Sequence, residues 1–180
     1  GLRTPMSLLA NGGEYRFRPT DNIVSALKNK VTGGDRIALL DSAKQSGTTL
    51  YAGALYYRSP ATDPSYILRI AEQYLIRAEA KAQLSDLAGA IEDINAVRDR
   101  AGLSGTPAVT QNEILDAILE ERRLEFLWEA QAYFDLTRTN RLKEKIEALK
   151  PNLTITPKLN LFPIPSNEVI LGKLEQNPGY

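Results

Sequence analysis

The apolar residues of this 180-residue chain follow a helical period most clearly between residues 66 and 102. In the first part of this stretch they recur at intervals of three and four, which predicts an amphipathic helix over 66–84. After a short polar break the period resumes until Gly102, which stands where a left-handed helix cap is expected. Two helices joined by so short a connection must lie antiparallel, so the pattern predicts a helical hairpin. The residues predicted to form its buried faces are Ile67, Ile70, Ala71, Tyr74, Leu75, Ala78, Ala82, Leu87, Ala90, Ile91, Ile94 and Val97.

A third helix is predicted to begin after Thr110, because Thr110 and Glu113 have the spacing of a capping box. The apolar period then continues to Glu129 or beyond. A fourth, polar helix is predicted over 139–149 and is stopped by Pro151. The apolar residues that carry the third helix are Ile114, Leu115, Ile118, Leu119, Phe126, Ala130 and Tyr133.

The two ends of the chain have a different character. Residues 1–65 are rich in Gly, Thr, Ser, Asn and Asp, which favours loops around short elements. Within them we predict a short helix capped by Thr20 or Asp21, a weak helical stretch over 35–43 and an extended stretch over 50–58. Residues 150–180 are interrupted by prolines and are predicted to form an extended tail. The fold class is therefore mainly α, and the length suits a single domain.

The hairpin also fits the 34-residue tetratricopeptide-type (TPR-like) repeat when Ala90 is placed where the two helices cross most closely. Tyr74 and Ala78 then occupy the aromatic and small positions of the first helix, whereas Arg77 and Lys81 replace the usual Leu and Tyr. One clear copy is present, although such arrays need about three stacked units. We therefore expect the chain to be part of a longer protein with further copies upstream. The position of the first methionine, Met6, agrees with this expectation.

Composition excludes several kinds of chemistry. The chain has 22 basic and 22 acidic residues, so no net field favours nucleic acid or an anionic membrane surface. It has no Cys and no His, which excludes disulfides, thiolate zinc sites and nucleophiles activated by imidazole. No apolar run approaches the roughly 20 residues of a membrane-spanning helix. We predict no cofactor and no metal.

Three segments, in this order, carry a family resemblance. The first is 67–80, continued by 90–98; the second is 121–126 with Glu129 and 134–136. The third is the ending, LFPIP at 161–165 followed by QNPGY at 176–180. Together they resemble the C-terminal region of the SusD/RagB family. The chain departs from the family pattern in the second segment, where Ala130, Ala132 and Tyr133 stand in place of Gly, Arg and Trp, and we expect a local repacking there.

The resemblance implies a SusD-like fold of the α/α superhelix type and a non-catalytic function. Members of the family are surface lipoproteins of Bacteroidota-type outer membranes that bind glycans or other nutrient oligomers and sit on a SusC-like TonB-dependent transporter. The resemblance further implies that these 180 residues are the C-terminal part of such a protein. Contact with the membrane would then be made only by a lipid anchor outside this part.

Ligand contacts are expected from aromatic side chains, which stack on sugar rings, in the loop-rich segment where binding residues are commonly carried. Trp128 is another candidate for stacking, although packing between helices is the favoured interpretation. The candidates are Tyr15, Phe17, Tyr51, Tyr56, Tyr57 and Trp128.

A group of charged residues on and after the third helix has two interpretations. A pair of carboxylates such as Glu121 and Asp135 could act in glycoside hydrolysis. Structural pairing of arginines with carboxylates on adjacent helical turns is favoured instead. The residues concerned are Glu121, Arg122, Arg123, Glu125, Asp135 and Arg138. Two alternatives to nutrient binding stay open. The TPR-like hairpin suits a protein-interaction scaffold, and the carboxylates suit an envelope glycoside hydrolase.

Overall fold

A computed structural model describes residues 18–55 and 66–180, and these residues are mainly helical, as predicted. The chain forms two compact units with a boundary after Ala130. A two-stranded antiparallel sheet lies in the first unit and pairs β1 (Leu40–Gln45) with β2 (Thr48–Gly53). Short 3-10 helices cover Gly34–Leu39 and Pro157–Asn160. The α-helices are α1 (Asp21–Lys28), α2 (Ile70–Gln83), α3 (Leu87–Arg100), α4 (Gln111–Glu125), α5 (Ala132–Arg138), α6 (Leu142–Leu149) and α7 (Ser166–Gly172).

The core of the first unit is made by α2, α3 and α4. Helices α2 and α3 form the predicted hairpin, and α4 packs against both of them. Small residues on α2 allow the close approach, because Ala71, Ala78 and Ala82 are all buried. Leu75 and Ile94 are fully enclosed between the helices. The buried cluster consists of Ala71, Leu75, Ala78, Ala82, Ala90, Ile94, Val97, Ile114, Ile118 and Phe126.

The cap signals read from the sequence are confirmed. The Thr110 side chain accepts from the backbone N–H of Glu113, whose carboxylate accepts from the N–H of Thr110, so a complete capping box starts α4. The Thr20 hydroxyl caps α1 by accepting from Ile23. Gly102 takes the left-handed conformation with φ 69°, and the Leu103 N–H bonds to the Arg98 carbonyl. These contacts satisfy backbone groups that helix ends leave open.

The predicted start of the first hairpin helix is wrong. The predicted burial of Ile67 and Ile70 is also wrong. Helix α2 begins at Ile70 rather than residue 66, because Arg69 is extended with φ −130° and ψ 139°. Ile67 is therefore outside the helix and 85% exposed. Ile70 is 71% exposed, since it lies about 100° around the helix from the buried stripe that Ala71 begins.

The third and fourth helices are also shorter than predicted. Helix α4 ends at Glu125, and the chain then takes left-handed conformations at Trp128 (φ 74°) and Ala130 (φ 58°), which cannot continue a right-handed helix. Ala130 is exposed, and Tyr133 belongs to the separate helix α5. The next helix begins at Leu142 rather than residue 139, because Asn140 has φ 58°.

Corrections also apply to the loop-rich part and the tail. The weak helical stretch predicted over 35–43 is a 3-10 helix as far as Leu39 and a strand from Leu40. Of the extended stretch predicted over 50–58, residues 50–53 belong to strand β2 (Thr48–Gly53), and residues 56–58 lie outside the described residues. The tail is not extended throughout, because it contains the 3-10 helix Pro157–Asn160 and helix α7.

Side chains of the final residues hold the tail in the second unit. The side-chain amide of Gln176 accepts from the Ile164 N–H and donates to the Ile164 carbonyl, both at 2.8 Å. Asn177 donates to the Phe162 carbonyl at 2.7 Å. The Tyr180 hydroxyl lies 3.0 Å from the Leu161 carbonyl. Prolines flank Ile164, and because proline lacks an N–H, this segment offers few backbone donors to a neighbouring strand. The side-chain amide of Gln176 bonds to Ile164 in place of such a strand.

Gly34→Ala is expected to destabilise the chain by about 2–3 kcal/mol. Gly34 has φ 57°, and a Cβ atom there would lie 2.1 Å from the Ala101 carbonyl oxygen, so both backbone strain and a clash oppose the change. Gly47→Ala is the matched control, because Gly47 has φ 80° but no heavy atom of the described residues lies within 4 Å of a Cβ placed there. Urea unfolding followed by circular dichroism should show a loss of about 1 kcal/mol for the control. Equal losses would refute the crowding at Gly34.

Candidate functional site

Two buried carboxylates on α4 organise the charged groups of the first unit. Glu121 and Glu125 are one helical turn apart and are 2% and 3% exposed. Side chains at this spacing share a face, and here the face turns inward beside the apolar residues Ile118 and Leu124. Ionised groups buried to this degree require paired cations, because their desolvation is costly.

The paired cations come from other segments. Arg36 lies in the 3-10 helix Gly34–Leu39. It donates from Nε to Glu125 Oε2 at 2.9 Å and from Nη2 to Glu121. Arg98, near the end of α3, donates to Glu121 Oε2 at 3.1 Å. Arg69 and Arg100 both donate to Glu125 Oε1. The network therefore ties the loop-rich segment and the helical hairpin to α4.

A third carboxylate, that of Glu129, joins this network from the loop after α4. Its side chain is 7% exposed and pairs with Arg69. Burial raises the pKa of Glu129, and the Arg69 guanidinium opposes that rise only in part. Left-handed conformations on both sides, at Trp128 and Ala130, fix the position of Glu129. Backbone conformations of this kind are uncommon for side chains other than glycine and are often found at functional sites.

A cavity of about 420 Å³ opens beside the network. It lies within the first unit, among the 3-10 helix, the residues before α2, the end of α3 and the loop after α4. Tyr66, which is 51% exposed, contributes an aromatic ring to its lining. The charged residues of the lining are Asp35, Arg36, Arg69, Arg100, Glu125 and Glu129.

Two of the aromatic residues that the sequence suggested as ligand contacts, Tyr51 and Trp128, are described and do not line this cavity. Tyr51 lies on β2, where its hydroxyl accepts a hydrogen bond of 3.2 Å from Lys28. The Trp128 indole donates to the Leu39 carbonyl at 3.0 Å, and its ring would lie 3.0 Å from a Cβ atom placed on Gly53. The ring of Trp128 thus packs on the β-hairpin. The other candidates, Tyr15, Phe17, Tyr56 and Tyr57, lie outside the described residues.

The remaining charged candidates also form ion pairs. Arg122 lies 3.8 Å from Glu72 on α2, and its guanidinium is 5.0 Å from the centre of the Phe126 ring. Arg123 pairs with Glu120 one turn earlier on α4. In the second unit, Arg138 donates to Asp135 on the same helix at 3.0 Å.

These contacts decide what the carboxylates are able to do. Glu121, one of the two acids considered for glycoside hydrolysis, is buried and accepts from two arginines. Within residues 18–55 and 66–180 there is also no cluster of three or more acidic side chains placed to hold a metal ion. In the same part of the chain, no helix is long and apolar enough to cross a bilayer.

The sequence did not identify Arg36, Arg69, Arg98 or Arg100 as partners of Glu121 and Glu125. Arg36 is 85 residues from Glu121, and spacing along the chain carries no signal over such a distance. The chain offered one local clue, since Arg98 and Arg100 close a helix that was predicted to lie against the third helix. Tyr66 was predicted to be the first residue of a helix rather than the lining of a cavity.

Opposite pH dependences are expected from two acids of this unit. Hydrogen bonds from Arg77 lower the pKa of Asp93 below the value of about 3.9 in an unfolded chain, although burial opposes the shift. Charged Asp93 therefore stabilises the fold above about pH 4, and this stabilisation is lost as the pH falls through the lowered pKa. For Glu129 the raised pKa reverses the sign, because the folded state holds the proton more tightly and loses stability as the pH rises above about 4.3.

Asp93→Asn should thus lower the free energy of unfolding by about 1–2 kcal/mol at pH 7, with a smaller loss at pH 3.5. Glu129→Gln should instead gain stability relative to the unchanged chain between pH 4 and pH 7. Urea unfolding at pH 3.5, 5 and 7 measures both. A loss for Asp93→Asn that is the same at all three pH values would contradict the assigned shift.

Comparison with known proteins identifies the relatives of this chain. Residues 51–180 match the model of the SusD family. The SusD-like protein P38 of Formosa agariphila is 37% identical over 134 residues, which cover 68% of this chain and 26% of that protein. The SusD-like protein P25 of the same organism is 32% identical over 133 residues, covering 66% and 25%. The chain spans about a quarter of the length of these curated relatives.

Solved structures give the same result for the fold. A SusD superfamily protein from Bacteroides vulgatus superposes with a TM-score of 0.76 at 22% identity, covering 97% of this chain and 47% of that one. A second one from the same organism has a TM-score of 0.61 at 28% identity, covering 86% and 38%. The family match includes all three of the segments that first suggested the resemblance.

Proposed function

Because the chain belongs to the SusD family, we propose that it serves in the non-catalytic binding of glycans, or other nutrient oligomers, at the outer-membrane surface. The bound ligand would be delivered to a SusC-like TonB-dependent transporter. The observation that carries this proposal is the family match over residues 51–180, together with 37% identity to a SusD-like relative. We further propose that these 180 residues form a single domain, the C-terminal part of a longer SusD-like protein whose lipid anchor lies outside them.

The geometry of the first unit supports binding rather than catalysis. Glu121 and Glu125 are nearly buried and paired with arginines, which opposes their acting as a proton donor and a base. A hydrolase would need two accessible carboxyls on either side of a glycosidic bond. The cavity beside the network offers fixed polar groups and an aromatic ring, as small-ligand sites commonly do.

Isothermal titration calorimetry of the chain against soluble plant and host polysaccharides, with oligopeptides as a second panel, tests the proposal. Saturable binding without release of reducing sugar is the expected outcome. Sugar release that is lost in Glu121→Gln would replace the binding function with glycoside hydrolysis. Lack of binding to either panel would remove the support for nutrient capture by this part of the protein.

A further inference from the structure

The cavity of about 420 Å³ beside the buried network is not needed for the ion pairs that hold the segments together. Its volume of about 420 Å³ is within the range of small-ligand pockets, roughly 300–1,000 Å³. The arginines and glutamates beside it already hold the segments together through the contacts described above. An open space of this size next to them therefore calls for an explanation of its own.

Charge selects the class of ligand. Among the described residues, the lining carries three arginines (Arg36, Arg69, Arg100) and three carboxylates (Asp35, Glu125, Glu129), whose formal charges cancel. Neither an anion nor a cation is favoured by such a lining. A neutral ligand with many hydroxyl groups suits it, because each hydroxyl is able to donate to a carboxylate and accept from a guanidinium.

The groups needed for such recognition are accessible or have remaining hydrogen-bonding capacity. The Arg100 side chain is 57% exposed, although it also pairs with Glu125. Arg69 bonds to Oε1 of Glu129, whereas a carboxylate accepts about four hydrogen bonds. The ring of Tyr66 is large, apolar on its faces and half exposed, which suits the C–H face of a pyranose.

A buried donor gives an independent indication of a ligand. Arg36 is 5% exposed and lines the cavity, and its Nη1 atom has no hydrogen-bond partner within residues 18–55 and 66–180. Buried donors are almost always paired, so an unpaired one needs an explanation. Burial also raises the pKa of Glu129 on another wall of the cavity, as is common where a site is shaped for a ligand.

We propose that this cavity is a glycan subsite that takes one sugar ring of a neutral oligosaccharide, with Tyr66 stacking on the ring and Arg100 and Glu129 bonding its hydroxyls. The proposal rests on the proposed function and adds the place and the charge class of the ligand. It also assigns the contact to Tyr66 rather than to Tyr51 on the β-hairpin or to Trp128.

The test is calorimetry of the 180-residue chain with four neutral hexaoses: maltohexaose, cellohexaose, xylohexaose and mannohexaose. For the hexaose that binds, Tyr66→Ala should weaken the affinity about tenfold, whereas Tyr66→Phe keeps the ring and should stay within about threefold. Arg100→Gln should weaken it about five- to tenfold. The matched controls are Arg123→Gln, an arginine of α4 outside the cavity, and Tyr51→Ala, and both should bind like the unchanged chain.

The outcomes separate this subsite from the broader function. Folding is checked by thermal melting, and Arg100→Gln should remain folded because Glu125 keeps its bonds to Arg36 and Arg69. If Tyr66→Ala and Arg100→Gln both bind with unchanged affinity, or if Tyr51→Ala alone loses binding, the subsite is refuted and glycan binding stands. If only acidic glycans bind, the neutral class is refuted. If no glycan or peptide binds, the proposed function itself falls.

Discussion

Replacing Glu125 with alanine is expected to lower the free energy of unfolding by about 3–5 kcal/mol. The carboxylate is 3% exposed and accepts from Arg36, Arg69 and Arg100. Its removal leaves the guanidinium of Arg36 buried with Glu121 as its remaining carboxylate partner. A buried charge that loses its partner is more costly than the intact pair is favourable, so the loss should be large.

Glu120→Ala is the matched control for this change. Glu120 is on the same helix, but its side chain is 56% exposed and pairs with Arg123. A surface pair of this kind contributes about 0–1 kcal/mol. Urea unfolding at pH 7 compares the two variants, and Glu125→Gln should fall between them because an amide still accepts hydrogen bonds. A loss below about 1 kcal/mol for Glu125→Ala would show that the network does not hold the unit together.

Local signals in the sequence were sufficient for the helices and for several of their ends. The period of apolar residues identified the hairpin of α2 and α3, since its buried stripe includes Leu75 and Ile94. Thr110 and Gly102 were recognised as caps because each acts through residues close in the chain. These features depend on contacts over three to five residues, and the sequence displays such spacings directly.

The site could not be predicted in the same way. The bonds from Arg36 to Glu121 and Glu125 span 85 and 89 residues, so no local pattern records them. The left-handed conformations of Trp128 and Ala130 were not foreseen either, because neither residue favours them. They end α4 and bring Glu129 to the cavity, whereas the apolar period at Ala130 and Tyr133 had suggested a continuous helix. The cavity is formed by tertiary packing, which the spacing of residues along the chain does not record.

Replacing isoleucine with alanine at two positions, 94 and 70, distinguishes the observed core from the predicted one. Ile94→Ala should cost about 3–4 kcal/mol, because Ile94 is fully buried between the helices and its removal leaves a cavity in addition to the lost burial. Ile70→Ala should change the free energy of unfolding by less than about 0.5 kcal/mol, since Ile70 is 71% exposed and alanine is a good helix former.

Both isoleucines belong to the same helical hairpin, Ile70 to α2 and Ile94 to α3, so the comparison holds the residue type constant while burial changes. Urea unfolding of the 180-residue chain, with the slope compared between variants, measures both. Equal losses would mean that Ile70 is covered by the chain in solution and that the start of α2 packs as the apolar period first predicted. A small loss at Ile94 would be more serious, because the packing of α2, α3 and α4 positions every arginine of the buried network except Arg36.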